Sequence, residues 1–152
     1  LRDHMIFDQK DWPAGRMVTP TLAGTRPGGA ISSAWAVMHY LGIEGYRQKQ
    51  QSVTRARARI EEGVAELGFE VLGAPKLGIM AFSHPELDIF ALYKRLFERG
   101  WVTSLCTQPK ALHLMLSPFH ETVVAQYLTD LTWAVAQVRA GVTDAVTEVR
   151  YS

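Results

Sequence analysis

The stretch "PTLAGTRPGGAISSAWAVMHYLGIEGY", Pro20–Tyr46, sets a glycine-rich bend directly ahead of an apolar segment. Ile31, Ala34, Trp35, Met38 and Leu41 recur at the spacing of one helical face, and Gly42 stops the pattern. In the bend, Gly24 permits close backbone approach and dihedrals closed to other residues. Thr25 supplies a hydroxyl, Arg26 a cationic fork, and Pro27 stiffens the turn. The helix behind them directs its positive N-terminal end at the loop. This arrangement can hold a phosphate or a carboxylate, and it can equally be a tight turn with a helix cap. It has neither the Gly-Lys-Ser/Thr of a Walker loop nor the GxGxxG of a dinucleotide site.

Ahead of the bend, "LRDHMIF" (1–7) reads as a short strand. Residues 8–28 carry Pro13, Gly15, Pro20, Gly24, Pro27 and Gly28 with no period of either kind. A structureless loop of about 20 residues is unusual in a compact domain, and is commonly functional or docked on something else. Behind the bend, the pattern predicts a long helix over 44–67 with Tyr46, Val53, Ile60, Val64 and Leu67 inward. Gly68 is its stop, and Gly63 weakens its last turn.

The rhythm then changes. "FEVLG" (69–73) and "LGIMAFS" (77–83) read as strands parted by Pro75. "PELDIFALYKRLFERG" (85–100) reads as a helix with Leu87, Phe90, Tyr93, Leu96 and Phe97 on one side. Ser83 and Glu86 have capping-box spacing at its start, and Gly100 ends it. "WVTSL" (101–105) and "ALHLMLS" (111–117) are strands around a turn at Gln108 and Pro109. Val123, Val124, Tyr127, Leu128, Leu131, Val135 and Val138 mark a closing helix. From Phe69 the order is ββαββα. That predicts an α/β class, more closely α+β, with a small antiparallel-rich sheet and helices on one face.

The totals exclude several classes. The 152 residues carry 16 Lys+Arg against 15 Asp+Glu, a net charge of +1, so no global field argues for nucleic acid or an anionic membrane. Arg55, Arg57 and Arg59 are spread around their helix beside Glu61 and Glu62, which reads as a solvated face and not a nucleic-acid stripe. No apolar run approaches the roughly 18 residues of a membrane span, and no signal peptide is evident. Cys106 is the one cysteine, which excludes an internal disulfide, fits a reducing compartment and points to the cytoplasm. It reads as a small buried hydrophobe, since nothing specifies a base beside it. His4, His39, His84, His113 and His120 form no HExxH, so no metal site is expected. His113 reads as a hydrogen-bonded core or cleft histidine, and His120 as a surface or capping residue. Trp35 reads as core packing or contact with another domain, and Trp12 as a docking anchor for its loop.

Pro20–Tyr46 resembles the segment that follows the cofactor lysine in pyridoxal-phosphate-dependent group II decarboxylases. Within that group it is most similar to the sphingosine-1-phosphate lyase branch, with its Pro-Thr-x-Ala-Gly-Ser-Arg-Pro-Gly stretch before a Trp-containing helix. "LFERGWVTSL" (96–105) and "ALHLMLSPFHETVVAQYLTDLTWAV" (111–135) are similar to later steps of the same family. The resemblance implies a C-terminal part of a fold-type I enzyme, and the chain's start without methionine agrees with a piece of something longer. Residues 1–28 would be the end of the large cofactor domain and the active-site loop, 29–67 the connecting helices, 68–140 the small domain and 141–152 a tail. It implies a homodimer with active sites at the interface, completed by an N-terminal large domain and acting on a small amine or amino acid.

Carried over by position, Gly24 and Thr25 match the contacts to the phosphate of pyridoxal 5'-phosphate, and Arg26 stands beside them on the substrate side. Two departures matter. None of Lys10, Lys49, Lys76, Lys94 or Lys110 follows a histidine, so the family's His-Lys anchor is absent and no catalytic residue is assigned. The lyase tyrosine a few residues before the bend is replaced at the substrate wall by Met17, which cannot donate a hydrogen bond. Met17 therefore counts against retro-aldol cleavage of a phosphorylated amino alcohol and leaves decarboxylation of an amino acid, or another lyase substrate, open. Two further alternatives are a stand-alone α/β binding or regulatory module, and a cofactor-less relative kept for assembly.

Overall fold

The computed structural model describes residues 2–20 and 24–144. Of the tail expected at 141–152, positions 145–152 lie outside the described residues. Backbone contacts divide the chain into two units, Leu1–Ile43 and Glu44–Ser152.

The first unit opens with a helical turn, α1 (Arg2–Met5), where a strand was expected. The stretch expected to be structureless holds a hairpin of β1 (Phe7–Gln9) and β2 (Met17–Thr19), with Asp8 opposite Val18 and Gln9 opposite Met17. Its turn is closed by the Gly15 N–H donating to the Trp12 carbonyl at 2.9 Å. Pro13 at the second turn position and Gly15 at the fourth suit that geometry, a signal that period counting passes over. Arg16 then donates to both Asp8 carboxylate oxygens, at 2.8 and 2.6 Å, across the pair of strands.

Helix α2 (Gly28–Glu66) follows, broken at Gly42 with φ 57° and ψ −177°. A side chain would be strained there, so the expected helix stop is a break with helical turns on both sides. Residues 28–41 belong to the first unit. Their apolar stripe is largely uncovered: Ile31 is 67% exposed, Trp35 60% and Met38 53%. Trp35 is therefore not core packing within this chain.

The second unit is built on the remainder of α2. Val53, Ala56, Ile60 and Val64 recur at helical spacing and are buried, whereas Tyr46, expected inward, lies ahead of that stripe and is exposed. The helix ends with the Phe69 N–H donating back to the Val64 carbonyl at 3.0 Å. Then come β3 (Glu70–Val71), β4 (Ile79–Ser83), α3 (Ile89–Glu98), β5 (Ser104–Thr107), β6 (Lys110–Met115), a 3-10 turn (Pro118–Thr122) and α4 (Val124–Arg139). The expected ββαββα order is present. The strands form an antiparallel sheet in the order β3-β4-β6-β5, with Ala81 opposite His113 and Phe82 opposite Leu112. The two-residue alternation puts Met80, Phe82, Leu112 and Leu114 into a core shared with α2, α3 and α4. Ile79 and Met115 point to the other face and are exposed.

Two expectations for α3 need correction. Asp88, not the Ser83–Glu86 pair, caps it, accepting from the Phe90 N–H at 2.9 Å. His84 Nδ1 accepts from the N–H groups of Glu86 and Leu87, which ties 84–87 into a turn before the helix. Its buried residues are Ile89, Ala91, Leu92, Arg95 and Leu96, and Phe97, expected inward, is 54% exposed. The weakness at Gly63 also has a packing reason: a Cβ there would lie 2.6 Å from Leu128 Cδ2, so the bare backbone lets α4 approach.

Beneath α4, buried Asp130 accepts from Trp101 Nε1 at 2.9 Å and from Gln126 Nε2 at 3.0 Å. Those two hydrogen bonds, Gln126's first, and the Arg99 charge hold its carboxyl below the ordinary aspartate value. Arg55 pairs with Glu121 and Arg57 with Glu61, so the basic run is an ion-paired helix face. Among the described residues no helix is long and apolar enough to cross a membrane, and no group of three His, Cys, Asp or Glu is placed to hold a metal. Cys106 is half-buried on β5, short of the full burial expected.

Candidate anion-binding site

Met17, Gly24, Thr25 and Arg26 all fall in the first unit. Met17 sits half-buried on β2, positioned by the ladder with β1 and by the Asp8–Arg16 pair. The hydrogen bonds from Arg16 hold the Asp8 carboxyl below its ordinary range, so the pair stays charged through neutral pH. Gly24, Thr25 and Arg26 form an exposed bend between the hairpin and α2. Gly24 has φ 58°, a left-handed conformation that turns the chain toward the helix start. Among the described residues nothing lies within 4 Å of a Cβ built on Gly24, Gly28 or Gly29, which leaves room there for an approaching group.

The donor set has one sign. Thr25 and Arg26 have no side-chain partner among the described residues, and the first turn of α2 contains no acidic residue. The unpaired N–H groups at the start of α2 therefore face the bend with the positive end of the helix dipole uncompensated. A hydroxyl, a guanidinium and backbone N–H groups, with no carboxylate among them, match a phosphoryl group. Further along α2, His39 Nδ1 hydrogen-bonds the Trp35 carbonyl at 2.9 Å and its ring packs on the indole, centroids 4.0 Å apart.

Two histidines of the second unit also have defined places. His120 accepts at Nδ1 from the Ser117 N–H at 2.7 Å, the capping role expected of it. His113 is half-buried on β6 and lines a cavity in the same unit. Sequence reading passed over that cavity, since its lining comes from elements far apart along the chain.

No protein-family model matches the chain. It is 38% identical over 92% of its length to a sphingosine-1-phosphate lyase of Arabidopsis thaliana, of which it covers 26%. It is 37% identical over 64% of its length to a probable L-tyrosine/L-aspartate decarboxylase of Methanothermobacter thermautotrophicus, covering 27% of that protein. Among solved structures, the sphingosine-1-phosphate lyase of Burkholderia pseudomallei superimposes with a TM-score of 0.81 over 91% of the chain at 30% identity, and 32% of that structure is covered. A Lactobacillus brevis glutamate decarboxylase shares the fold, with a TM-score of 0.69 at 16% identity, over 97% of this chain and 36% of its own. The architecture is that of a part of the lyase and decarboxylase fold, helices with antiparallel sheets. The chain is a homologue of sphingosine-1-phosphate lyases and of a decarboxylase related to them, corresponding to a C-terminal part of those proteins and spanning about a quarter of the curated relatives' length.

Proposed function

We propose that this chain is the part of a pyridoxal-phosphate-dependent carbon–carbon lyase that anchors the cofactor phosphate across a dimer interface. One observation carries the reading: a bend of donors precedes a helix whose apolar stripe of Ile31, Trp35 and Met38 is exposed among the described residues. Large uncovered apolar faces mark sites of association. The uncovered stripe of Ile31, Trp35 and Met38 would meet the second subunit and the large domain ahead of this segment. A cytoplasmic setting and a small amine or amino acid substrate belong to the same reading.

When bound, pyridoxal phosphate supplies an electron sink for the bond that breaks at the substrate's α-carbon. Gly24 would let the backbone N–H groups reach the phosphoryl oxygens, Thr25 would donate its hydroxyl, and Arg26 would balance charge at the edge of the site. Fixing the phosphoryl group fixes the tilt of the ring against the substrate, an orientation effect worth several kcal/mol. Met17 would form an apolar wall that excludes water and moves no proton. Retro-aldol cleavage must take a proton from a substrate hydroxyl, whereas loss of carbon dioxide needs no such base. Met17 therefore favours decarboxylation. The 38% identity to a plant sphingosine-1-phosphate lyase supports the second reading, retro-aldol cleavage with the proton taken elsewhere. The covalent lysine would come from residues ahead of this segment.

The test uses the full-length protein carrying Thr25→Ala. Losing one hydrogen bond to a charged group, about 1.5–3 kcal/mol, corresponds to roughly ten- to a hundred-fold weaker retention. Cofactor absorbance after dialysis measures it. Retention equal to that of the parent would overturn the phosphate role.

A further inference from the structure

Within the second unit, a cavity of about 160 Å³ lies among the end of α2, β5, β6 and the start of α4. Ile60, Leu114 and Val124 give it apolar walls, and Thr103 and Tyr127 bring hydroxyls from two distant parts of the chain. Tyr127 is only 4% exposed, and neither its hydroxyl nor Thr103 Oγ1 has a hydrogen-bond partner among the described residues. Buried hydroxyls are almost always paired, so two orphans on one cavity need a common explanation. The Tyr127 ring is not loose. Trp101 packs edge-on against it, centroids 5.1 Å apart, and is itself held by Asp130. Burial pushes the Tyr127 phenol well above its ordinary value, so the group remains a neutral O–H at any working pH.

We infer that this cavity is a binding site for a compact, uncharged, largely apolar molecule bearing one hydroxyl or carbonyl, whose polar atom pairs with Tyr127 and Thr103. Size sets the upper limit. An aliphatic cavity of about 150 Å³ accepts benzene, so a six-membered ring with one oxygen substituent suits the space. Charge sets the class. No Asp, Glu, Lys or Arg lines the cavity, so a cation would be buried without a counter-charge, and the further polar lining of Ser104, His113 and His120 suits a neutral hydroxyl or carbonyl. Val102 and Met115, 75% and 63% exposed, also line it and give it an outlet to solvent. The inference does not depend on the anion site, which lies in the other unit.

Phenol and benzene are the probes, titrated into the full 152-residue chain by calorimetry and soaked into its crystals. Saturable phenol binding is expected, with phenol density between the two hydroxyls. Tyr127→Phe should weaken phenol about fivefold and leave benzene unchanged, because one neutral hydrogen bond is worth about that factor. Thr103→Val is the second variant and should act in the same sense should Tyr127→Phe fail to fold. Tyr127→Phe, when folded, should also unfold no more easily than the parent, since it removes an unpaired group. Ordered waters alone in the cavity, no saturable binding in solution, or equal phenol affinity in both variants would overturn the assignment.

Discussion

The two units of this chain use their apolar residues in opposite ways. Every buried apolar residue among the described ones lies at Val53 or beyond, where α2, α3, α4 and one sheet face close on each other. Before that point Phe7, Trp12, Val18, Ile31, Trp35, Met38, Tyr40 and Ile43 are all substantially exposed. Apolar residues recur at helical spacing in both the 28–41 and 44–66 portions of α2, so pattern alone does not report burial. The difference separates a region with its own core from one whose apolar face lies exposed. The candidate anion site belongs to the second kind, which is why its chemistry is proposed for an assembly.

Substitutions can break or sharpen that contrast. Phe82, fully buried, should cost the most: Phe82→Ala is expected to lower unfolding stability by about 3–5 kcal/mol, read by denaturant titration. A loss below 1 kcal/mol would mean the second unit is not held by this core.

Asp130→Ala comes next, at about 1–3 kcal/mol, since it strands the Trp101 indole N–H beneath α4. Its pH dependence has a fixed sign. The folded carboxyl sits below the ordinary 3.8, so the folded state binds fewer protons than the unfolded state across that window. The stabilisation from Asp130 is thus complete above the ordinary value and is lost as pH falls through the lowered one. The gap between parent and Asp130→Ala should shrink on acidification, as followed by thermal melts; a gap that widened would contradict the assignment.

Trp35→Ser should have the smallest effect on unfolding, within about 0.5 kcal/mol, because the side chain is 60% exposed. It should nonetheless reduce self-association, measured by sedimentation velocity. A destabilisation approaching that of Phe82→Ala would erase the contrast between the units.

Local signals in the sequence were sufficient for much of the architecture. The break at Gly42, the helix ends near Gly68 and Gly100, and the ββαββα order after Phe69 all depend on spacing within a few residues. The bend at Gly24–Arg26 was legible for the same reason, since its donors are consecutive. The 7–19 hairpin was missed because each strand has only three residues, too few for alternation to register. The α3 start was placed too early because Ser83 and Glu86 have capping-box spacing, whereas His84 and Asp88 make the local hydrogen bonds that set it.

What the sequence by itself determined is therefore the set of elements, their order and the donor chemistry of one loop. Only the tertiary structure decided that β6 lies between β4 and β5, that Gly63 makes room for Leu128, and that Thr103 and Tyr127 share a cavity. The physical reason is range. Periodicity and capping act over one or two turns of chain, whereas strand order, close approach and buried hydroxyls are set by residues brought together from far apart.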